Sequence, residues 1–316
     1  MKKLVLIDGM SVLHRAYHAY PLSLTSPKGE LTNAVYGFTT ILLTVLEKLK
    51  PTHVAVAWDV GKATFRTEQY SEYKATREKP DEELLSQIDK TKEVVEALNI
   101  PQFGVAGYEA DDLIGTLSLQ GEKEKEAQVV IVTGDRDALQ LVNKDKVVVW
   151  MPSSAGSFGR ARPDRGPMEY DETAVKAKYG LSPEQIIDLK ALMGDSSDNI
   201  PGVRGVGPKT ATNLLLKYET LEKLYENIEK ERSEVVKNSS ERIVGLLEQE
   251  KDKAFMSKKL ATIERQVPIE LSWEKCKLSD YDREAVTKVF EELAFKSLVN
   301  KLPKDRWEED LEGIFS

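Results

Sequence analysis

Short apolar runs and helix-spaced stretches alternate along the first half of the chain. Leu4-Val5-Leu6-Ile7, Val54-Ala55-Val56-Ala57-Trp58, Val129-Val130-Ile131-Val132 and Val147-Val148-Val149-Trp150 are continuous apolar runs, the pattern of strands buried on both faces. Between them, roughly Asn33 to Leu49, Glu82 to Leu98 and Glu109 to Glu126 carry helical spacing. This alternation predicts an α/β fold with a mostly parallel sheet flanked by helices. Ligands of such sheets sit beyond the carboxyl ends of the strands. Three of the runs lead straight into acids there: Ile7 into Asp8, Trp58 into Asp59, and Val132 into Thr133-Gly134-Asp135-Arg136-Asp137.

The segment from Met151 to Pro167 is rich in Ser, Gly, Pro and Arg and has no period, which predicts a long loop. After Tyr179 the pattern is helical almost throughout, with charged faces from Leu221 to Leu260. A boundary near Gly180 therefore divides an α/β core, residues 1–180, from a helical region, residues 181–316.

Composition narrows the class. At 41% hydrophobic and 31% charged residues, the chain reads as an ordinary globular protein able to bury a sizeable core. A single cysteine, Cys276, excludes an intrachain disulfide and a Cys-based metal site, which suits a reducing cytoplasm. The opening MKKLVLIDGM imitates a signal peptide, but its apolar run stops at Asp8, too soon for an h-region. No stretch approaches the roughly 20 apolar residues of a membrane helix, so a cytoplasmic protein without membrane contact is expected. A net charge of −8, taken as a sum, argues against binding nucleic acid. The distribution of charge matters more than its sum, and bound metal would neutralise much of the acid excess.

The acids are Asp8, Asp59, the run Glu109-Ala110-Asp111-Asp112, the pair Asp135 and Asp137, and the pair Asp195 and Asp198. Each has a plain structural reading. Asp8 before Gly9 ends a strand, Glu109, Asp111 and Asp112 complement a helix N-terminus, Asp137 caps a helix, and Asp195 and Asp198 belong to a turn. Taken together, Asp8, the run from Glu109 and the pair Asp135 and Asp137 sit at strand exits or at a helix start. Carboxylates crowded without cations repel one another and shift their pKa values. Hard oxygen ligands suit Mg²⁺ or Mn²⁺, and two such ions about 4 Å apart can hold a scissile phosphate.

Two basic segments complement the acids. Gly202-Val203-Arg204-Gly205-Val206-Gly207-Pro208-Lys209-Thr210-Ala211 has the pattern of a helix–hairpin–helix. Its glycines let backbone approach a phosphate, and the following helix N-terminus points N–H groups at it. Contacts of that kind carry no sequence information. The second segment interleaves cations and aromatics through Phe65, Arg66, Tyr73, Lys74 and Arg77, a pattern suited to single-stranded nucleic acid and equally to a solvated helix face.

The order LVLIDG, NAVYGF, TFR, EYKATR, YEADD, TGDRD, GDSSDNIPGV and GVGPKTA resembles the 5′-nuclease domain of bacterial DNA polymerase I and the wider flap endonuclease family, over nearly the whole chain. That resemblance implies a PIN-like catalytic core with a helical arch, and a helix–three-turn–helix element for duplex DNA. It implies two Mg²⁺ or Mn²⁺ ions held by Asp8, Glu109, Asp111, Asp112, Asp135, Asp137, Asp195 and Asp198, with Asp59 acting through bound water. Arg66, Lys74 and Arg77 match the basic arch that the 5′ strand passes, and Lys74 counts among the catalytic groups. Gly205, Gly207, Lys209 and Thr210 match the hairpin that holds the downstream duplex and a monovalent cation such as K⁺. The implied reaction is hydrolysis of DNA at a 5′ flap, nick or 5′ end in replication and repair, by a monomer, leaving a 5′-phosphate and a 3′-hydroxyl.

Departures from the pattern are local. Met10 stands where the family usually has Asn, which would loosen Asp8. The Met151–Pro167 loop, with Arg160, Arg162 and Arg165, is longer and more basic than usual. The ending WEEDLEGIFS reads either as a frayed terminus or as a partner tail of the sliding-clamp kind, and the chain stops where a polymerase domain would follow. A DNA-binding module using its acids only as caps is a rival reading. A haloacid-dehalogenase-type phosphatase is a poorer one, since it needs an Asp where Met10 stands.

Overall fold

The computed structural model describes residues 1–61, 63–152, 166–278 and 281–303. Its sheet contains β1 (Lys2–Asp8), β2 (His53–Ala57), β3 (Gln102–Phe103), β4 (Ala127–Val132), β5 (Val147–Met151) and β6 (Met168–Tyr170), in the order β3-β2-β1-β4-β5-β6. All neighbours pair in parallel except β5 and β6, which are antiparallel. The four apolar runs are β1, β2, β4 and β5. The short edge strands β3 and β6 carry too few residues to show a pattern. Strand order reverses between β1 and β4, which opens a crevice at their carboxyl ends.

Successive side chains of a strand face opposite ways, so each run feeds two cores. Val5, Ile7, Val54, Val56, Val130 and Val132 pack under helices Gly9–Ala19, Asn33–Leu49 and Ile88–Ala97. Leu4, Leu6, Ala55, Ala57, Val129 and Ile131 pack under helix Ala110–Gly121. A third core joins helices Gln185–Met193, Pro208–Tyr218, Leu221–Asn238, Glu241–Gln249 and Lys251–Ala261. Among the described residues no helix is long and apolar enough to cross a membrane.

Helix Asn33–Leu49 has the expected bounds and ends at Lys50, left-handed at φ 46, before Pro51. The single helix expected from Glu82 to Leu98 is instead Glu82–Leu85 and Ile88–Ala97. Gln87, buried at the break, accepts from Ala34 N at 2.9 Å and donates to Asn33 Oδ1 at 3.0 Å. Asn33 in turn donates to Tyr17 O and Tyr20 O. The break thus satisfies the open amides of one helix and the terminal carbonyls of another, which local periodicity does not reveal.

Packing also runs across the expected division at residue 180. Ile263, Val267, Leu271 and Cys276 belong to the core over helix Ala110–Gly121, and Val286, Phe290, Phe295 and Leu298 to the core on the opposite face. The strap from Ile263 is fitted along that helix: Val267 N donates to Thr116 Oγ1 at 3.1 Å and Leu271 N to Gln120 Oε1 at 2.7 Å. The last described segment, residues 263–303, therefore returns to the sheet apart from residues 279–280, which lie outside the description. The basic loop arginines Arg160, Arg162 and Arg165, and the tail WEEDLEGIFS, lie outside the described residues.

In the hairpin, Gly202 at φ +60 packs on Gly194, and a Cβ there would lie 2.2 Å from Gly194 N. Gly202→Ala should destabilise by more than ~1 kcal/mol in urea denaturation. Gly245→Ala, in a helix with open space around it, should stabilise by roughly 0.5–1 kcal/mol.

Candidate active site

The end of β1 begins the site. Asp8 caps helix Gly9–Ala19, its Oδ1 accepting from Ser11 N at 3.0 Å, while Oδ2 accepts from Thr133 Oγ1 at 2.9 Å. Gly9 follows because the Trp58 ring lies against it; a Cβ would meet that ring at 2.5 Å. Ser11 Oγ accepts from Gly134 N at 2.9 Å, tying the exit of β4 to the same helix. Beyond it, Asp135 Oδ1 accepts from Asp137 N at 2.9 Å. Met10 packs half-buried against the core beside this cap.

Helix Ala110–Gly121 supplies the next acids. Glu109 and Asp112 form a reciprocal capping box at its start, and Asp59 accepts from Ala110 N at 2.9 Å. Glu109 Oε2 meets Lys74 Nζ at 2.8 Å. Asp112 is fully buried and bound to Arg66 through two bonds of 2.8 and 2.7 Å; it also accepts from Glu264 N at 2.9 Å. Asp111 differs from all of these. Its Oδ1 is buried and has no hydrogen-bond partner.

The loop after helix Gln185–Met193 adds Asp195 and Asp198. Lys190 bridges the two halves of the protein, bonding Asp137 on one side and Asp195 Oδ2, at 2.5 Å, on the other. Arg77 bonds Asp198 Oδ1 at 2.5 Å and Ser197 O at 3.1 Å. The buried Tyr73 hydroxyl donates toward Asp198 Oδ2 at 3.2 Å and Glu109 Oε2 at 3.3 Å.

Electrostatics single out the centre of this group. Burial, then Asp59 and Asp135, push the Asp8 carboxyl up to about 7 against the bonds from Ser11 and Thr133. Burial pushes Asp137 up to about 7 as well, helped by Asp135 and opposed by Lys190. Asp111 is raised well above the carboxylate range by burial, then by Asp8 and Asp135. Asp195 behaves oppositely: burial works against its charge, but Lys190 and Ser197 outweigh it and hold it at about 2. Among the described residues no three acidic, His or Cys side chains converge as a ready-made ligand cage. Lys74, Arg77 and Lys190 hold several of the carboxylates instead. A partnerless buried oxygen among repelling acids fits hard divalent cations, which keep several waters and need few direct carboxylates.

Three expected features have a different setting in this geometry. Arg66 does not line an arch. Its side chain is 3% exposed and bonds Asp112, Leu260 O and Thr262 O, joining the sheet to the helical region. Asp112 has both oxygens taken by Arg66 and backbone amides and serves that lock. The expected helical arch is likewise absent between Gln69 and Glu82, where the described chain runs in turns that place Lys74 and Arg77 against Glu109 and Asp198. Lys190 was not singled out by sequence, and Tyr73 and Thr133 were named there only as members of longer segments. Lys190 stands five residues before Asp195, a spacing that spans a helix end and gives no signal by itself. The hairpin residues Gly205 and Lys209 are exposed, Thr210 partly so, and Gly207 caps helix Pro208–Tyr218.

The 5′-3′ exonuclease N-terminal resolvase-like domain matches residues 3–180, and the 5′-3′ exonuclease C-terminal SAM fold matches residues 181–284. The chain belongs to the 5′-3′ exonuclease family. It is 44% identical to DNA polymerase I of Bacillus caldotenax over 98% of its length and 45% identical to that of Bacillus subtilis over 96%. It spans about a third of those relatives, 33% and 32% of their lengths. The fold resembles the 5′-exonuclease of bacteriophage T5, solved with divalent zinc bound, at TM-score 0.66 and 19% identity over 93% of this chain and 99% of that one. It also resembles the catalytic core of Rad2 in complex with DNA substrate, at TM-score 0.56 and 12% identity over 92% and 86%.

Arg66→Ala strands a buried carboxylate and should cost roughly 3–5 kcal/mol of stability in urea denaturation. Arg66→Lys should recover little, because an ammonium cannot make the paired bonds. A second prediction concerns pH. Asp8 and Asp137 have folded-state values raised from 3.8 to about 7, so the metal-free fold loses stability as pH rises between those values. Added Mg²⁺ should therefore raise the melting temperature more at pH 8 than at pH 5, measured by calorimetry.

Proposed function

We propose that this chain is a structure-specific 5′ nuclease that hydrolyses DNA phosphodiester bonds near a 5′ end, nick or flap. The observation that carries the reading is the partnerless buried oxygen of Asp111, set among Asp8, Asp135 and Asp137 at the strand exits. Asp8, Glu109, Asp111, Asp135, Asp137, Asp195 and Asp198 are the residues that would hold two Mg²⁺ or Mn²⁺ ions. When bound, such ions supply a nucleophilic water at neutral pH and offset charge on the leaving oxygen.

The remaining roles belong to the chain's own groups. Asp59, fixed on Ala110 N, orients water at the rim of the site. Lys74, three-quarters shielded and held on Glu109, offers its ammonium to the phosphate as the acids take up cations. Arg77 does the same from Asp198. Gly205, Gly207, Lys209 and Thr210 present backbone amides and one cation to the duplex phosphates, with K⁺ as the monovalent ion of the hairpin. Residues 1–180 would carry the chemistry and most of the helical region the duplex, as a monomer in the cytoplasm. The relatives are about three times longer, so a polymerase domain is the natural partner, with a sliding clamp as a second.

The test is one labelled 5′-flap DNA incubated with Mg²⁺ and separately with EDTA. Cleavage at the flap junction should need the metal, and Asp135→Asn should lower it by at least about 100-fold, beyond the 10–100-fold typical of outer-shell losses. DNA affinity of that variant should be little changed. Full turnover by Asp135→Asn would remove Asp135 from the mechanism, and tight binding without cleavage by the wild type would leave a binding module.

A further inference from the structure

Two of the protein's three histidines, His14 and His18, stand four residues apart on helix Gly9–Ala19. Positions i and i+4 share one helix face. Both residues are exposed, and their rings meet edge to face with centroids 4.6 Å apart. The carboxylate site uses neither. On the same helix, the Tyr17 hydroxyl donates to Asp81 Oδ2 at 3.0 Å and so draws a carboxylate against this face. Asp81 caps the short helix Glu82–Leu85, just beyond the turns that carry Lys74 and Arg77.

We propose that His14 and His18 chelate a transition-metal ion such as Ni²⁺, Cu²⁺ or Zn²⁺, with Asp81 drawn in as a third, oxygen ligand. Imidazole suits these ions and does not suit Mg²⁺ or Ca²⁺, which take oxygen. Two histidines at i and i+4 are the helical chelate found in zinc sites of the H-x-x-x-H spacing, which HRAYH reproduces here. Two imidazoles and a carboxylate leave a fourth position for water. Partial shielding of the ring, followed by His18 and Arg77, lowers the proton affinity of His14 against the pull of Asp81. That favours the neutral ring, the form that binds metal. The neighbouring Arg77 charge is offset by its pairing with Asp198.

The site would act as a clip. An ion held between helix Gly9–Ala19 and Asp81 fixes the segment from Arg77 to Asp81, whose neighbours Lys74 and Arg77 rest on Glu109 and Asp198. A transition metal bound outside the acidic centre would thereby restrain the groups that cover it.

The experiment titrates untagged full-length protein with Ni²⁺ in excess Mg²⁺, which occupies oxygen sites, and follows binding by calorimetry. One equivalent should bind to the wild type. His14→Ala and His18→Ala should each weaken it by at least about tenfold, the loss that even an outer-shell partner causes. Asp135→Asn should leave it unchanged. Ni²⁺ should also slow tryptic cleavage after Arg77 in the wild type and not in His14→Ala. Binding that survives both histidine substitutions, or that disappears in Asp135→Asn, would place the ion on the acids and overturn the proposal. Protection that is equal in wild type and His14→Ala would overturn the clip. His14 is exposed, so its variant keeps the test decisive if His18→Ala folds poorly.

Discussion

The repulsion between carboxylates gathered where β1, β2 and β4 end is the constraint on which the rest of the structure depends. Each buried acid must be met by an amide, a hydroxyl or a cation, or else keep its proton. Asp8 takes an amide and a hydroxyl, Asp112 takes Arg66, Glu109 takes Lys74, and Asp198 takes Arg77 and Tyr73. Asp137 and Asp195 share Lys190. Asp111 alone among these keeps a buried oxygen without a partner. The frustration is thus concentrated at one point, where a divalent cation has most to offer.

The same charges stitch the molecule together. Lys190 reaches from the helical region to Asp137 in the α/β core, and Arg66 reaches from the core to Leu260 O and Thr262 O. Arg77 and Tyr73 meet Asp198 from the other direction. The strap from Ile263 then returns the chain to the sheet. Removing one cation therefore disturbs both the acid cluster and the joint between the two regions, so loss of activity and loss of stability should be hard to separate at Arg66. At Asp135, which lies at the rim and bonds chiefly its own loop, they should separate.

The arrangement also accounts for how an acidic protein of net charge −8 could serve the polyanionic substrate proposed for it. Its acids are sequestered by its own cations in the absence of metal. Cations taken up by the acids would free Lys74, Arg77 and Lys190 to face phosphate, so the local field would change sign where the substrate sits while the overall charge hardly matters.

Much of the architecture was legible in the chain itself. Continuous apolar runs declared β1, β2, β4 and β5, and acids directly after three of them marked the side of the sheet where chemistry belongs, because a parallel sheet exposes its strand ends on one edge. The glycines of the hairpin were readable too, since few other residues allow backbone to approach so closely. What tertiary structure decided were the matters that depend on distant partners. Periodicity is a property of neighbours in sequence, so it joined Glu82 to Leu98 in one helix that Gln87 breaks to serve helix Asn33–Leu49. A cation's sequence neighbours do not say whether it faces solvent or an acid 46 residues away, which is why Arg66 reads as a DNA contact and is a buried lock on Asp112. Chemical type is written locally. Assignment of each charge to its partner is made only when the chain folds and water is excluded from between them.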